Sequence, residues 1–407
     1  MTDLFEKCRQ FFTDPAYAEA LGYPASPQRA KDLGIYPFFI PLDRSEGTEV
    51  TIEGRKLIML GSNNYLGLTM HPDVRRAAQE AIETFGTSCT GSRFLNGTLA
   101  LHGELERRLA AYVGKEKALV FSTGYQANLG TLSSLVGRGD IVICDKEDHA
   151  SIVDGCRLAL GRMVRFHHND LGDLDRVLGK CPQGVGRLVV VDGVFSMGGE
   201  IAPLADLVDV CRAHGARLMV DDAHGIGVVG RGRGTAAHFG VTNEVDLIVG
   251  TFSKSLASIG GFAAGDESTI HWIQHAARSL MFSASLPAPN VAAALAALDI
   301  MEREPERVDR VNHVAECMRT AYRDLGFDIG YTESPIVPIF VGDSLRAMHV
   351  WRSLFDAGIY VNVAIPPAVP PGKALLRTSY MATHTDRQME RVLDAFASVG
   401  KSQGLIP

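Results

Sequence analysis

Several features that mark whole classes of proteins are missing from these 407 residues. No run of Lys or Arg forms a basic patch, and the formal net charge is −7, so no nucleic-acid partner is expected. The longest apolar stretch, PNVAAALAALDIM, falls well short of the roughly 20 residues that a membrane-spanning helix requires.

Cysteine is sparse as well: the seven residues are odd in number, scattered and free of any CxxC pair. This usage predicts neither a disulfide framework nor a zinc site, and it suits a reducing cytosol, so we expect a cytoplasmic protein. No other spacing of side chains indicates a metal site. The motif GxxxxGK[ST] is also absent, which removes the support for a P-loop nucleotide-binding protein.

The opening MTDLFEKCRQFF places charges between its apolar residues and is not expected to be a signal peptide. Its LFEKCRQFF portion could make a peripheral contact with a membrane surface. A helix docked on its own protein explains the same pattern and is the interpretation that we favour.

From about residue 60 to 290 the sequence repeats a helical stretch, a short apolar run and a polar or glycine turn. The apolar runs are KALVF (117–121), DIVIC (140–144), MVRF (163–166), RLVVVD (187–192), RLMVDD (217–222) and DLIVG (246–250). Near-continuous Val, Ile and Leu runs that alternate with helices predict an α/β fold with a mostly parallel central sheet flanked by helices.

The chain is predicted to have three parts. Residues 1–50 form an N-terminal helix and connector, 51–290 a large domain, and 291–407 a smaller C-terminal α+β domain. The segment TEVTIEGRKLIML predicts a β-hairpin that turns at Glu53-Gly54. After it we expect a long helix over about 288–325 and strands at FDIG, PIVPIFV, IYVNV and ALLRTSY.

Catalytic groups of parallel sheets collect just beyond the carboxyl ends of the strands. The residues predicted at those ends are Ser122 to Tyr125, Asp148 to Ser151, including His149, Gly193 to Met197, Asp221 to His224, and Thr251 to Ser255. Lys254, within GTFSKSLASIGG, therefore lies at a strand end in the company of a carboxylate, two histidines and several hydroxyls.

A reactive lysine, a carboxylate and a hydroxyl- and glycine-rich anion cradle together suggest a site for pyridoxal 5'-phosphate (PLP). The lysine would form an imine with the aldehyde, and Asp221 would pair with the pyridine nitrogen and keep it protonated. Small residues at a helix N-terminus would hold the phosphate. Asp222, next along the strand, would point to the other face of the sheet.

Each of these residues also has a purely structural interpretation. Asp221 could be a helix cap or turn residue, and His224 a hydrogen-bonded core histidine. FSTGYQANLG resembles a plain strand–turn–helix junction, and Asp148 or Ser151 could simply cap a helix. The HisHis pair at 167–168 is interpreted as a solvated loop. The combination at successive strand ends, in this order, favours the PLP site.

The same residues resemble the α-oxoamine synthase family of fold-type I PLP-dependent enzymes. The motifs that carry the resemblance are LGSNNYLGL (60–68), GTSCTGSRFLNGTLALHGELE (86–106), FSTGYQANLG (121–130), DHASIVDG (148–155), DGVFSMGGEIAPL (192–204), DDAHG (221–225), GTFSKS (250–255), FSASLP (282–287) and LLRTSY (375–380). The blocks SRFLNGT, STGYQANLG, DHASIVDG and PPAVP are most similar to the bacterial serine palmitoyltransferase group of this family.

The resemblance implies the condensation of an amino acid with an acyl-CoA, with loss of CO2. It also implies a homodimer with shared active sites, because two chains build each site in this family. The resemblance implies that Lys254 is the Schiff-base lysine, that Asp221 pairs with the pyridine nitrogen and that His224 meets the ring hydroxyl, while His149 stacks on the ring near the substrate carboxylate. Arg377 would bind the substrate carboxylate, Ser283 of the neighbouring subunit would contact the phosphate, and Asn64 and Ser92 would line the partner's site. The residues implied around the cofactor are Ser122, Thr123, Gly124, Tyr125, Thr251 and Ser253.

Two positions depart from the serine-using members. Ile365 stands where some of them have an arginine just before the Pro-Pro loop, and Gly225 stands where they often have serine. The alanine- and pimeloyl-CoA-using branch tends to carry that glycine, so glycine or alanine with another acyl-CoA stays open beside L-serine with palmitoyl-CoA. An aminotransferase on the same fold is a further alternative. A non-catalytic partner subunit is disfavoured because such subunits lack the lysine.

Overall fold

The computed structural model describes residues 3–20 and 26–407. Its helices are α1 (Glu6–Thr13), α2 (Pro15–Ala20), α3 (Pro27–Asp32), α4 (Pro72–Phe85), α5 (Ala100–Val113), α6 (Gly124–Leu135), α7 (Ala150–Leu158), α8 (Leu171–Gly179), α9 (Leu204–Ala213), α10 (Thr235–His238), α11 (Glu267–Ala276), α12 (Arg278–Met281), α13 (Ala288–Arg303), α14 (Glu306–Leu325), α15 (Ser344–Asp356) and α16 (Asp386–Ser402). Within these described ranges, no helix is both long enough and apolar enough to cross a bilayer.

The strands are β1 (Arg44–Ser45), β2 (Glu49–Ile52), β3 (Arg55–Met59), β4 (Lys117–Phe121), β5 (Ile141–Asp145), β6 (Arg162–Phe166), β7 (Arg187–Asp192), β8 (Arg217–Asp221), β9 (Leu247–Thr251), β10 (Gly261–Gly265), β11 (Ile336–Gly342), β12 (Ile359–Tyr360), β13 (Asn362–Ala364) and β14 (Ala374–Ser379). The six apolar runs of the central region all form strands, within one residue of the predicted bounds at either end.

The chain divides into two compact units. The first unit comprises residues 1–63, 197–199 and 311–407, and the second comprises 64–196 and 200–310. The boundaries of these units differ from those of the sequence-based domains, because the hairpin β2–β3 pairs with β12 rather than with the central sheet. Helix α13 falls within the second unit, where it packs against α4.

The second unit is built on a sheet of strand order β4-β10-β9-β8-β7-β5-β6. Strands β6, β5, β7, β8 and β9 pair in parallel, whereas β10 runs antiparallel between β9 and β4. In this register Asp192 at the end of β7 lies directly beside Asp221 at the end of β8. The mostly parallel sheet with packed helices confirms the predicted α/β class.

Strand β10 was not anticipated, because its sequence GFAAG lacks the Val, Ile and aromatic residues that mark strands. The small residues have a packing reason. A Cβ on Gly261 would come within 2.5 Å of the Gly124 Cα, so glycine at this position allows the N-terminus of α6 to approach the sheet. The Gly-Gly pair after Lys254 therefore serves close backbone packing.

The first unit holds the sheets β1-β2-β3-β12 and β11-β14-β13 around one apolar core. The predicted hairpin is confirmed, and Glu53 and Gly54 at its turn both have positive φ, at 50° and 73°. The predicted C-terminal strands are only partly right. FDIG is not a strand, and IYVNV divides into β12 and β13, which belong to different sheets.

The single long helix predicted over 288–325 is wrong. Helix α13 ends at Arg303 and α14 begins at Glu306, with Pro305 between them. A proline there has no backbone N–H for an intrahelical hydrogen bond, and it disfavours helical dihedrals at Glu304, which explains the break.

Candidate active site

A cavity of about 330 Å³ opens in the second unit at the carboxyl ends of the parallel strands. Its lining brings together residues from five strand ends: Thr123, Gly124, Tyr125, Asn128, His149, Ser151, Asp192, Ser196, Asp221, Ala223, His224, Gly250, Thr251, Ser253, Lys254, Ile259 and Gly260. Lys254, Asp221 and both histidines that the sequence singled out therefore share one cavity.

Asp221 is the last residue of β8 and is almost fully buried. Its Oδ1 accepts a hydrogen bond from the Ala223 backbone N–H at 3.1 Å, and its Oδ2 accepts one from Asn128 Nδ2 at 2.6 Å. The two donors hold this carboxyl group in place at the end of β8. A carboxylate at this position is suited to pair with a cationic ring nitrogen.

His149 is the N-cap of α7, in place of the Asp148 or Ser151 cap considered from sequence. Its Nδ1 accepts a hydrogen bond from the Ser151 backbone N–H, and its own backbone N–H donates to Asp192 Oδ2 at 3.0 Å. The Asp148 carboxylate in turn accepts from the backbone N–H groups of Asp145 and Asp192, both at 2.9 Å. These bonds attach the loop that carries His149 to the ends of β5 and β7.

Burial has a large effect on the acids beneath this loop. It raises the pKa of Asp148 and of Asp192 well above the usual range, and in each case a neighbouring aspartate acts in the same direction. For Asp192 that neighbour is Asp221, while the Lys254 ammonium opposes the rise. The base of the cavity therefore combines a cation with closely spaced carboxyl groups.

The pKa of His149 is lowered, chiefly because surrounding protein disfavours the charged ring. The ammonium of Lys254 lowers the pKa further, and the Asp221 carboxylate opposes it. The ring keeps an edge open to solvent on the cavity side. Tyr125 contacts it edge-on, with the ring centroids 6.4 Å apart. His149 is thus a neutral side chain placed at the mouth of the cavity.

The hydroxyl of Tyr65 lies 2.7 Å from His224 Nδ1, and Tyr65 is fully buried. Sequence reasoning named His224 but not this partner, because nothing in NNYLG distinguishes a site tyrosine from a core one. The bond fixes the orientation of the His224 ring within the cavity.

Another part of the cavity lining fits an anion. The N-terminus of α6, beginning at Gly124, faces the hydroxyls of Thr251 and Ser253, which lie 2.9 Å from each other. A Cβ on Gly124 would meet the Thr251 Cβ and Oγ1 at 2.9 Å, so the helix start and this hydroxyl pair are in direct contact. Helix N-termini and hydroxyls are suited to a phosphate. The residues present therefore fit PLP.

Two of the predicted cofactor contacts use their hydroxyls elsewhere. Ser122 donates to the Ala284 carbonyl at 2.5 Å, and Ser283 accepts from Gln126 Nε2 at 3.0 Å. Thr123 caps α6 by accepting from the Gln126 backbone N–H. The roles predicted for these residues, including a partner-subunit contact by Ser283, stay predictions.

Three further predicted residues also have contacts of their own. Asn64 donates to Thr69 Oγ1 at 2.8 Å. Ser92 lies in a tight loop, in which its backbone carbonyl accepts a hydrogen bond from the Leu95 backbone N–H. Arg377, in β14 of the first unit, is buried and donates to Ser379 Oγ at 2.7 Å. Their substrate-binding roles stay predictions.

A larger cavity, of about 680 Å³, opens at the amino ends of the strands. Its cationic side chains are already engaged: Lys115 donates to the Thr242 carbonyl, Arg187 to the His214 carbonyl, and Arg217 to Asp246. It offers no lysine–carboxylate–histidine combination, so chemistry rather than size selects the smaller cavity.

The loop after β8 has a strict packing requirement. Asp222 is buried, and its carboxylate accepts from the Thr235 backbone N–H and hydroxyl, both at 2.6 Å. A Cβ on Gly225 would come within 1.8 Å of Asp222 Oδ1. Glycine at 225 is thus imposed by the carboxylate beneath it.

Sequence reasoning missed Asn128 and Asp192, which lie within a helix and at a strand end respectively. Asp192 could have been found by the strand-end rule, since it closes the run RLVVVD. Asn128 has no local signal. The HisHis pair was also misjudged in part, because His168 is largely buried and its Nδ1 lies 3.0 Å from Asp145 Oδ1.

Known proteins resemble this chain along most of its length. A sequence model of the family Aminotransferase class I and II matches residues 55–396. Serine palmitoyltransferase (SPT) of Sphingobacterium spiritivorum is 47% identical over 375 residues, which cover 92% of this chain and 94% of that protein. The 8-amino-7-oxononanoate synthase of Geobacter sulfurreducens is 45% identical over 383 residues, covering 93% and 98%. A solved structure of SPT with PLP internal aldimine has a TM-score of 0.93 at 40% identity and covers 100% of both chains.

The stability contributed by Asp222 should depend on pH. Burial raises the pKa of this carboxyl to about 6, above its usual value, so the folded protein holds the proton more tightly than the unfolded chain does. This contribution is complete below about pH 4 and is lost as the pH rises through about 6, a change of about 3 kcal/mol.

Asp222→Asn is neutral at every pH and can keep both contacts to Thr235. We expect the unfolding free energy of the wild type minus that of the variant, from urea titrations, to fall between pH 4 and 7. A difference that stays constant or rises over this range would contradict the assignment.

Proposed function

Since this chain belongs to the α-oxoamine synthase branch of the aminotransferase class I and II family, we propose that it is a PLP-dependent acyltransferase. It condenses L-serine with a long-chain acyl-CoA, palmitoyl-CoA in the first instance. The products are 3-ketodihydrosphingosine, CoA and CO2, so the reaction opens sphingolipid synthesis. Its fold is that of the fold-type I PLP enzymes, as expected from the sequence.

One observation carries the proposal: Lys254, Asp221 and His149 line a single cavity together with the helix N-terminus and hydroxyls that fit a phosphate. The amine and the phosphate cradle match the aldehyde and phosphate of PLP, and the carboxylate matches its ring nitrogen. When bound, PLP supplies an electron sink for a carbanion at the amino acid's α-carbon.

The side chains of this chain divide the remaining work. Lys254 supplies the amine that moves the α-proton of the amino acid. Asp221, held in place by its two donors, stabilises positive charge at the position of the ring nitrogen. His149 at the cavity mouth donates to the amino acid's carboxylate, and His224, oriented by Tyr65, holds the ring hydroxyl. Arg377 is the second predicted carboxylate ligand, a role that suits a guanidinium.

A homodimer with shared sites is part of the proposal. Phe94, Leu95 and Phe282 are 48%, 80% and 69% exposed, and their segments are joined by a hydrogen bond from the Ser285 backbone N–H to the Gly91 carbonyl. Together they form an apolar surface beside Ser92 and Ser283. A second copy of the chain covering this surface would bury it and bring those serines to the interface. A cytoplasmic location stays a prediction.

The two departures from the serine-using pattern have structural reasons that are independent of the amino acid. Gly225 is required by the Asp222 carboxylate. Ile365 is buried in a small apolar cluster with Ala347 and Ala374 and partly buried Phe38, so it serves packing. Neither position then argues for glycine or alanine as the substrate.

A related synthase that uses alanine or glycine with another acyl-CoA is the second candidate, because an 8-amino-7-oxononanoate synthase is 45% identical to this chain. The identity to the serine palmitoyltransferase of Sphingobacterium spiritivorum is slightly greater, at 47%. Comparing serine, glycine and alanine as acceptors distinguishes these candidates.

Lys254→Ala should remove both turnover and the visible absorption band that PLP gives when joined to a lysine. Lys254→Arg keeps the positive charge without a primary amine and should fail in the same way. Lys146→Ala, at an exposed position, should behave as the wild type. Release of CoA thiol with serine and palmitoyl-CoA, together with the absorption spectrum, provides the measurement. Appreciable turnover by Lys254→Arg would refute the assigned role.

Gly225→Ser should lower stability rather than improve the use of serine. The added Cβ displaces the buried Asp222 carboxylate from Thr235, which costs about 1–3 kcal/mol for a disrupted buried polar group. Thermal unfolding and the KM values for serine and alanine test this expectation. The reference is Gly103→Ser, at an exposed helical glycine without positive φ whose Cβ would meet no atom within 4 Å. A stable variant that gains serine activity would show instead that position 225 selects the amino acid.

A further inference from the structure

Asn128 lies within α6 and is 1% exposed, yet it makes two polar contacts across the cavity floor. Its Nδ2 donates to Asp221 Oδ2 at 2.6 Å and to Ser151 Oγ at 2.9 Å. One amide group thereby joins the carboxylate at the end of β8 to the first turn of α7.

Two hydrogen bonds from Ser151 determine which nitrogen of His149 carries the proton, and the contact with Asn128 acts on one of them. The Ser151 backbone N–H donates to His149 Nδ1 at 3.2 Å, so Nδ1 acts as an acceptor. The Ser151 hydroxyl, which already accepts from Asn128, also lies 2.7 Å from Nδ1 and donates its hydrogen there. A neutral imidazole has one N–H, which is then on Nε2.

An amide side chain at position 128 lowers the stability of the folded protein. Asn128 Oδ1 is buried and has no hydrogen-bond partner among the residues that the structure describes. An unsatisfied buried acceptor is unfavourable, and an apolar side chain of the same size would avoid it. The two donated bonds are therefore the feature that accounts for asparagine here.

We propose that Asn128 is a positioning residue that serves two groups at once. It holds the Asp221 carboxylate in place for the cofactor's ring nitrogen. Through Ser151 it also holds His149 with a proton on Nε2, as a hydrogen-bond donor for the amino acid's carboxylate. This inference rests on the proposed function and adds to it a residue to which the sequence assigned no role.

Two variants separate the two contacts. Asn128→Leu removes both, whereas Ser151→Ala leaves the bond to Asp221 intact. Asn128→Leu should raise the Kd of PLP for the apoprotein roughly tenfold or more, the effect of losing a hydrogen bond to a charged group. It should also raise the KM for serine, while Ser151→Ala should raise the serine KM and leave the PLP Kd within about twofold.

Thr131→Val, a buried isosteric change in the same helix, is the control and should alter neither the PLP Kd nor the serine KM.

The tautomer is measured on the apoprotein by 15N NMR of labelled histidine, with the His149 signals identified by their loss in His149→Gln. The wild type and Thr131→Val should show the Nε2–H form. Asn128→Leu should add a minor Nδ1–H fraction, because the Ser151 hydroxyl is then able to accept, while the Ser151 backbone N–H still favours the Nε2–H form. A packing role alone would leave the tautomer unchanged.

An Nδ1–H tautomer in the wild type, or an Asn128→Leu protein that matches Thr131→Val in all three readouts, would overturn the inference. Should Asn128→Leu fail to fold, Asn128→Asp keeps the size and replaces the donor with a carboxylate beside Asp221, and it should raise the PLP Kd. Wild-type protein that binds no PLP would refute the proposed function, whereas the tautomer measurement would still test the hydrogen bonds.

Discussion

The parallel pairing of β5, β7, β8 and β9 is the constraint on which the site depends. Because these strands run in the same direction, the residues that follow each of them emerge at one edge of the sheet. The register sets Asp192 against Asp221, and the segment after β9 brings Lys254 to the same edge. The strand direction and register are therefore sufficient to bring these groups close together. The glycines of β10 and α6 allow the close backbone approach of the helix start to the sheet that the phosphate site requires.

Such crowding of acids at a buried edge is unfavourable unless each carboxyl group is held by donors. Asp148 and Asp192 accept backbone N–H groups from neighbouring strand ends, and Asp222 is held by Thr235. These bonds keep the loops in place while burial raises the pKa of each acid. Asp221 is held by two donors in the same way, but unlike Asp148 and Asp222 it lines the cavity that Lys254 also lines, and this placement distinguishes the working carboxylate from those two.

Much of this arrangement follows from sequence, because strand ends can be recognised without tertiary information. Apolar runs predicted six strands of the central sheet, and reading the residues after them led to Asp221, His149 and Lys254. What failed depends on packing or on single residues. Strand β10 has no strand-forming composition, and its pairing is visible only once β4 and β9 flank it. Asn128 is one polar residue inside a helix, and only the folded chain reveals what its amide contacts. Gly225 shows the same limit, since its cause is a carboxylate three residues earlier in a loop of unknown shape.

The central claim is that this cavity joins an amino acid to an acyl-CoA with loss of the amino acid's carboxyl group. The most direct measurement supplies PLP-loaded protein with palmitoyl-CoA and carboxyl-labelled L-serine, and follows labelled CO2 and CoA thiol together. Labelled CO2 and CoA thiol should appear at equal rates, and neither product should appear when L-serine or palmitoyl-CoA is left out. Thiol release without CO2, or a keto acid formed from serine without acyl-CoA, would contradict it.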